Sequence, residues 1–145
     1  MTAVERGAVD AVRAYLDALN GGSADRVAGC VTEDFVNEHT SALGHSLVGR
    51  AGYRERLAGF LAAFSGLHYE IEHLIADGED VAVAYRMTAQ WLATPAAQPR
   101  PFAIRGMFRF RVRDGLIAHR VDYWDSADFQ RQVQLAQRDD IQPKR

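Results

Sequence analysis

A carboxylate near the C-terminal end of the chain, Asp122, has the surroundings of a general base. It lies in a predicted strand, where side chains alternate in direction, and Arg120 and Trp124 share its face. A carboxylate that an apolar interior removes from water has a raised pKa, which brings it toward the range that a base needs. The alternative is a structural carboxylate that only pairs with Arg120 or with Arg86.

A second set of polar residues lies on the predicted strand from Val81 to Ala93. Arg86, Thr88 and Gln90 follow two alanines on one face of this strand. Helices that pack on a sheet favour small residues beneath them, so we interpret this face as the inner one. Arg86 would then stabilise an enolate or bind a ligand carboxylate, unless it only neutralises Asp122. Thr88 and Gln90 would line a ligand-binding pocket.

Four further side chains are candidates to line the same pocket. Asn37 and His39 share one face of a short early strand, where His39 is placed to orient a substrate oxygen or to shuttle a proton. The alternative for His39 is a wall residue whose hydrogen bonds are already satisfied. Tyr15, in the first helix, and Trp124 are expected to be apolar walls, with simple core packing as the alternative.

The sequence offers no arrangement typical of a metal or nucleotide site. The remaining histidines form no H-E-x-x-H motif and no ligand cluster: His45, His68, His73 and His119. The chain has no glycine-rich phosphate loop and no dinucleotide-binding fingerprint. The segment from Gly44 to Val48 misses the pattern of a nucleophile elbow at its fifth position. We therefore expect neither a metal nor a nucleotide cofactor.

Composition and charge narrow the expected partners. The net charge of -2 gives no reason to expect a nucleic-acid or anionic-membrane surface. The arginines between Arg105 and Arg113 alternate with apolar residues, which is typical of a solvated strand face. The single cysteine, Cys30, excludes an intrachain disulfide and suits a cytoplasmic location. The N-terminus resembles no signal peptide, and no apolar run approaches the roughly 18 residues of a membrane span.

Helical spacing and capping residues predict helices mainly in the first half of the chain. They are expected at Thr2–Leu19, from Ser23 to about Val31, from about Ala51 to Phe64, and again after Ser126. A short strand from Phe35 to Thr40 is expected between the second and the third helix.

The second half of the chain is predicted to form a meander of antiparallel strands. They run from about His68 to Ala76, Val81 to Ala93, Phe102 to Arg113 and Leu116 to Asp125. Asp77-Gly78 and Asp114-Gly115 are strong hairpin turns, and the prolines between Thr94 and Pro101 indicate a loop. This order predicts one α+β domain over residues 1–136, in which a cone-shaped, curved, mostly antiparallel sheet packs on the N-terminal helices around an internal pocket. Residues 137–145 are expected to form a polar tail.

The other face of the Val81 strand is the expected interface of a homodimer. Its residues are too apolar to be left in water: Val81, Val83, Tyr85 and Met87. A second subunit would cover this face, with Met107 adding to it from the next strand, and such a face has the size of a standard interface.

Three segments near the C-terminus together resemble a family signature. They are Arg105-Gly106-Met107-Phe108-Arg109-Phe110, Asp114-Gly115-Leu116-Ile117 and Val121-Asp122-Tyr123-Trp124-Asp125. The series is similar to the signature of SnoaL-like proteins, a branch of the nuclear transport factor 2-like superfamily, and the similarity extends from about Val9 to Val133. It implies a conical α+β fold. In the polyketide cyclases of this family, an aspartate in the pocket acts as general base for an intramolecular aldol condensation.

The last of these segments also resembles limonene epoxide hydrolase, which opens an epoxide with an Asp-Arg-Asp triad. By that resemblance Asp122 would activate water and Arg86 would hold the two carboxylates. Thr88 stands where the pattern needs the second aspartate. We therefore expect ordinary epoxide hydrolysis to be absent.

The sequence favours a cofactor-free enzyme that acts on a small hydrophobic carbonyl or cyclic substrate. Asp122 would remove a proton, and Arg86 and His39 would steady the oxyanion, in an aldol cyclisation or an isomerisation. Two alternatives stay open: a non-catalytic protein that binds a small apolar ligand, and an atypical epoxide hydrolase.

Overall fold

The computed structural model describes the backbone of residues 1–141 and the side chains of residues 1–134. Its elements are α1 (Ala3–Gly21), α2 (Ala24–Ala28), β1 (Val31–His39), β2 (Leu47–Val48), α3 (Arg50–Ala63), β3 (Phe64–Asp77), β4 (Asp80–Trp91), β5 (Arg100–Arg113), β6 (Leu116–Trp124) and α4 (Ser126–Ile141). The last helix continues beyond Ala136, where the polar tail was expected to begin. Residues 142–145 of that expected tail lie outside the described part of the chain.

The first two helices begin at the capping residues that the sequence predicts. The side-chain oxygen of Thr2 accepts from the backbone N–H of Glu5 at 3.1 Å, and a Glu5 carboxylate oxygen accepts from the N–H of Thr2 at 2.8 Å. Ser23 accepts from the backbone N–H of Arg26 at 3.2 Å. These bonds satisfy N–H groups that have no partner inside a helix, so each cap fixes where its helix starts.

The six strands form one curved sheet that does not close on itself, in the order β2-β1-β6-β5-β4-β3. β1 runs parallel to β6, and all other neighbouring strands are antiparallel. The sequence-based expectation of an α+β fold, with a mostly antiparallel sheet on N-terminal helices, is confirmed. The parallel pair places Asn37 beside Arg120 and His39 beside Asp122, so it assembles the polar residues discussed below.

Both predicted Asp-Gly turns connect strands of the meander. Gly78 has a φ of 60°, and Asp114 and Gly115 have φ values of 52° and 76°. A type I′ turn requires two consecutive residues with positive φ, as at Asp114 and Gly115. This turn type is favoured in hairpins because its twist matches that of the flanking strands. The Gly78 turn fixes the register of β3 with β4, and the Asp114-Gly115 turn fixes that of β5 with β6.

The sequence-based assignment of faces on β4 is wrong. Val81, Val83 and Tyr85 are each at most 1% exposed and face the helices, whereas Arg86 and Gln90 are exposed on the other side. The physical reason is volume: the space between a curved sheet and its helices is filled by large apolar side chains, not by alanines. The inner face continues on β5, where Phe108 and Phe110 are fully buried and pair in register with Val83 and Val81.

This reversal also removes the surface that was expected to form the homodimer. Val81, Val83, Tyr85 and Met87 belong to the core of one chain and cannot also contact a second copy. Met107 is 44% exposed, but it lies on the opposite face of the sheet. The homodimer itself stays a prediction.

Candidate functional site

A cavity of about 350 Å³ opens between the inner face of the sheet, helix α3 and the loop of residues 40–46. Its walls are mainly apolar: Leu19, Leu43, Leu57, Phe60, Phe64, Met87, Phe102, Ile104 and Phe129. The volume is at the lower end of the ~300–1,000 Å³ that is typical of small-molecule sites. The fold thus provides a mainly apolar cavity, and the polar groups at its base determine which chemistry it supports.

Asp122 lies at the base of the cavity and is 5% exposed. One carboxylate oxygen, Oδ1, accepts a hydrogen bond of 2.7 Å from the hydroxyl of Tyr85. Among the described residues, no hydrogen bond reaches the other oxygen, Oδ2, whose nearest ionisable neighbour is His39 Nδ1 at 3.8 Å. One oxygen of the carboxylate is therefore fixed, and the other is available to a bound molecule.

Burial raises the pKa of Asp122 above its ordinary value, because a charged carboxylate is poorly solvated there. The positive charge of Arg120 and the hydrogen bond from Tyr85 both act in the opposite direction and only partly offset the burial. A carboxylate that is harder to ionise is also a stronger base once it is ionised, which is the property that a general base needs.

Gly106 is the reason that Tyr85 can reach Asp122. The residue lies opposite Tyr85 on β5, and a side chain there would collide with the phenol oxygen and ring carbon of Tyr85. It would also meet the backbone oxygen of Tyr123 at 2.8 Å. The missing side chain leaves the space in which the Tyr85 ring stacks on Phe108, with 4.4 Å between ring centres.

Arg120 is a buried cation at the same end of the cavity, 6% exposed. Its Nε and Nη2 donate to Asn37 Oδ1 at 2.9 and 2.7 Å, and its Nη1 donates to the hydroxyl of Tyr15 at 3.1 Å. The guanidinium carbon lies 5.0 Å from the centre of the Phe108 ring, a cation–π contact. No carboxylate of the described chain lies within 4.0 Å of this guanidinium. Its neutral partners hold it in place and leave its charge available to the cavity.

His39 lies between the two charged groups. Its Nε2 is 3.3 Å from Arg120 Nη2, and a guanidinium has only donors, so Nε2 must be the acceptor. The ring proton is then on Nδ1, which lies 3.8 Å from Asp122 Oδ2. The indole N–H of Trp124 also approaches this Nδ1, at 3.4 Å, and can donate to it only in the other tautomer. Burial and then the charges of Arg120 and Arg56 lower the pKa of His39 to about 4, so the ring is neutral at pH 7.

Two tyrosine hydroxyls link Arg120 to the cavity through hydrogen bonds. Tyr15 is fully buried, Tyr53 borders the cavity, and their hydroxyls share one short hydrogen bond. If Tyr53 were the donor, the Tyr15 hydrogen would be buried without an acceptor, which costs about 1–3 kcal/mol. With Tyr15 as the donor, the hydrogen without a protein acceptor is that of Tyr53, which borders the cavity, so the favoured order of donation is Arg120 to Tyr15 to Tyr53. It leaves the hydroxyl hydrogen of Tyr53 free for a ligand oxygen.

The structure brings together most of the residues that were predicted from β1 and β6. Asp122, His39, Asn37 and Trp124 all border the cavity. Tyr15 does not border the cavity; it is buried behind the residues that line it, and its hydroxyl accepts a hydrogen bond from Arg120.

The three predicted residues of β4 are not part of this site, which corrects the sequence interpretation. Arg86, Thr88 and Gln90 lie on the face of β4 that points away from the cavity, because Tyr85 and Met87 occupy the inner face. Thr88 and Gln90 border a separate, shallow depression beside Pro101. Arg86 therefore cannot bridge Asp122 to a second carboxylate, as the resemblance to limonene epoxide hydrolase implied.

Sequence reasoning missed three groups of the site. Tyr85 was assigned to the outer face, and neither Tyr53 nor Arg56 was singled out. Arg120 was noted only as a partner for Asp122. The signal that could have found Tyr85 is side-chain size. The face of β4 with the larger apolar residues belongs in the core, and assigning that face to the core places Tyr85 on the same side of the sheet as Asp122.

Among residues 1–134, whose side chains the structure describes, no group of three or more His, Cys, Asp or Glu is arranged to hold a metal ion. No helix within residues 1–141 is both long enough and apolar enough to cross a membrane.

Sequence comparison connects this site to a known family. The sequence model of the SnoaL-like domain matches residues 12–120 of the 145. The chain belongs to the SnoaL-like family. No protein with a curated functional description matches it in sequence.

Solved structures with the same fold include other SnoaL-like proteins. A protein of Silicibacter sp. TM1040, provisionally assigned as a polyketide cyclase, is 25% identical with a TM-score of 0.77, over 90% of this chain and 98% of that one. A provisionally assigned SnoaL-like polyketide cyclase of Jannaschia sp. CCS1 is 16% identical with a TM-score of 0.78, over 92% and 95% of the two chains. A provisionally assigned ketosteroid isomerase of Kribbella flavida is 23% identical with a TM-score of 0.66, over 83% and 78%.

Proposed function

We propose that this SnoaL-like chain is a cofactor-free enzyme that removes a proton from carbon next to a carbonyl group in a small, largely apolar substrate. Asp122 is the general base, and Arg120 and Tyr53 bind the carbonyl oxygen. Arg120 thus takes the role that the sequence assigned to Arg86. His39 stays neutral beside the carboxylate.

The observation that carries this proposal is the asymmetric bonding of Asp122. Its Oδ1 is held by Tyr85, while Oδ2 accepts no hydrogen bond from the described residues and borders an apolar cavity. A carboxylate with only a structural role would have both oxygens paired, because an unpaired buried acceptor costs free energy. The absence of a direct Arg120 ion pair also keeps the carboxylate basic.

The proposed chemistry requires donors where negative charge develops. Removal of the proton by Asp122 leaves an enolate, and the hydroxyl of Tyr53 together with the Nη1 of Arg120 supplies N–H and O–H donors for its oxygen. Donors that are already in place in a dry site are more effective than water, because they need no reorganisation. Asp122 then returns the proton to another carbon in an isomerisation. In an aldol cyclisation, the enolate carbon instead attacks a second carbonyl carbon, and the new alkoxide takes up the proton.

Both reactions share the first step, so one experiment tests them together. In D2O, the protein should catalyse exchange of the α-hydrogens of a small cyclic ketone, measured by NMR. It should also convert cyclohex-3-enone to its conjugated isomer, measured by ultraviolet absorbance. Asp122→Asn should reduce both rates by ~10²-fold or more. Asp10→Asn, a change on the exposed side of α1, should leave them unaltered.

A non-catalytic role in binding a small apolar ligand is the second candidate. The observation that favours it is the hydrogen bond from Tyr85, which stabilises the ionised form of Asp122 and so weakens it as a base. Saturable binding of cyclic ketones, with exchange no faster than in buffer, would select this candidate and reject the enzyme. The atypical epoxide hydrolase has no comparable support, since Asp122 is the one carboxylate among the described residues that line the cavity.

A further inference from the structure

Two arginines border the cavity, and neither has a carboxylate partner. Arg120 is bonded to neutral groups, and Arg56 donates from Nη1 to the backbone oxygen of His45 at 2.7 Å. Among the described residues, no Asp or Glu lies within 4.0 Å of either guanidinium. By contrast, several surface arginines are paired with a carboxylate: Arg54, Arg105, Arg111, Arg113 and Arg131.

The position of Arg56 places its charge at the mouth of the cavity. It is exposed on α3, three residues after Tyr53, which corresponds to an advance of roughly 4.5 Å along the helix axis. The carbonyl of His45 belongs to the loop of residues 40–46 and occupies one nitrogen of the guanidinium, so Nε and Nη2 still have donors to offer. The same helix carries Arg54, which turns away from the cavity to Asp25 at 2.7 Å.

The other ionisable groups at the cavity do not balance these two cations. Asp122 supplies at most one negative charge against the two arginines, and His39, with a pKa of about 4, adds no charge at pH 7. The tyrosines that border the cavity are uncharged at that pH, because burial raises the pKa of each. The cavity therefore combines apolar walls with an excess of positive charge, one cation at its base and one at its mouth. Such a site favours an anion with an apolar body.

We propose that the substrate carries a carboxylate, which Arg56 binds at the mouth while the carbonyl group lies at Arg120 and Tyr53. The inference rests on the proposed function for the position of the carbonyl group. It adds the substrate class: an apolar oxo acid. The carboxylate would accept hydrogen bonds from the Nε and Nη2 groups of Arg56, an arrangement that suits the planar guanidinium.

Binding measurements test this without knowledge of the natural substrate. Phenylalkanoic acids of increasing chain length and their primary amides are matched in shape and differ in charge at pH 7. By calorimetry, the wild-type protein should bind the best acid of the series at least about tenfold more tightly than its amide. Arg56→Gln should weaken binding of that acid roughly fivefold to tenfold and leave the amide unaltered. Arg56→Lys should retain part of the preference.

Arg54→Gln is the matched control, since it removes an exposed arginine from the same helix without touching the cavity. This variant should bind the acid and the amide as tightly as the wild-type protein does. Thermal melts should show that both glutamine variants are folded. The proposal is wrong if no acid of the series binds, if acid and amide bind equally, or if Arg56→Gln weakens both alike. These outcomes are independent of the hydrogen exchange assay, in which the substrate is a neutral ketone and the critical variant is Asp122→Asn. Acid binding that depends on Arg56, without exchange, would reject the enzyme and keep the anion site.

Discussion

The hydroxyl of Tyr85 lies 2.7 Å from Oδ1 of Asp122, although 37 residues separate them in the chain. The two residues are on strands that do not touch, β4 and β6, and the phenol reaches across β5 at the position where that strand has Gly106. A tyrosine on the core side of the sheet thereby determines which carboxylate oxygen is free. The predictions below test this arrangement and the groups around it.

Asp122→Asn should abolish most of the exchange activity without destabilising the protein. The raised pKa of Asp122 means that the folded state disfavours the ionised carboxylate relative to a neutral group, and Asn resembles that neutral form. At pH 7 the melting temperature should stay the same or rise. A fall in the free energy of unfolding of ~3–5 kcal/mol, the usual result of breaking a buried ion pair, would instead identify Asp122 as a structural partner of Arg120.

Tyr85→Phe should shift the pH dependence of the exchange rate upward. The rate should rise with pH as Asp122 ionises, with a midpoint above the ordinary range of an aspartate, because burial raises its pKa. Loss of the hydrogen bond removes one of the two influences that hold this pKa down, so the midpoint moves to higher pH. A pH-rate profile of both proteins measures the shift, and a midpoint that moves downward would contradict the assignment.

His39 should titrate well below the usual range of a histidine. Its pKa is about 4 in the folded protein, against an ordinary value of 6.5. Protons therefore bind more tightly to the unfolded chain, and the protein should lose stability as the pH falls from 6.5 through about 4. NMR titration of the ring checks the pKa. Denaturant unfolding of the His39→Gln variant should show a weaker loss of stability over the same interval.

Arg120→Met and Arg86→Met should have very different effects on the exchange rate and on stability. Arg120→Met removes the proposed oxyanion donor and leaves Asn37 Oδ1 without its two hydrogen bonds. Exchange should fall ~10²-fold, and stability by ~1–3 kcal/mol. Arg86 is exposed on the far side of the sheet, so its replacement should leave the exchange rate unchanged and alter stability by under ~0.5 kcal/mol. Equal loss of activity in both variants would restore the sequence-based assignment.

Gly106→Ala should disturb the site through Tyr85, and its methyl group would also press on the backbone oxygen of Tyr123. The new methyl group would collide with the Tyr85 hydroxyl and ring, and overpacking of this kind costs ~1–3 kcal/mol. The exchange rate of the variant should fall, and its pH-rate midpoint should move upward as in Tyr85→Phe. Adding Tyr85→Phe to this variant relieves the contact with the hydroxyl, so the double variant should be less destabilised than the sum of the two changes.

Local signals in the sequence were sufficient for the order of the main elements and for the hairpin turns, although β2 was not predicted and β1 begins at Val31 instead of Phe35. The cap at Thr2 and the Asp114-Gly115 turn depend on residues that are near each other in the chain, and both are confirmed. The pairing of faces on β6 was also correct, because Arg120 and Asp122 both border the cavity. Alternation alone determines which residues share a face.

Alternation does not determine which face is inside. On β4, the apolar face was assigned to a partner subunit and the polar face to the pocket, and that single reversal displaced Arg86, Thr88 and Gln90. The contacts between β1 and β6 could not be predicted either. Asn37 and Arg120 are 83 residues apart, and no local sequence pattern indicates that they are in contact. The position of Arg56 depends on how α3 lies over the open end of the sheet, which is a property of the whole fold.

The place of β6 in the sheet has a consequence during protein synthesis. This strand lies between β1 and β5, so the earlier strand and the later hairpin are joined only when it is present. A nascent chain that ends before residue 116 has β1 and β5 with free edges and lacks both Arg120 and Asp122. Pairing between distant segments is slow to form. The site therefore cannot form until β6 has left the ribosome, and until then the unpaired edges are open to aggregation or to a chaperone.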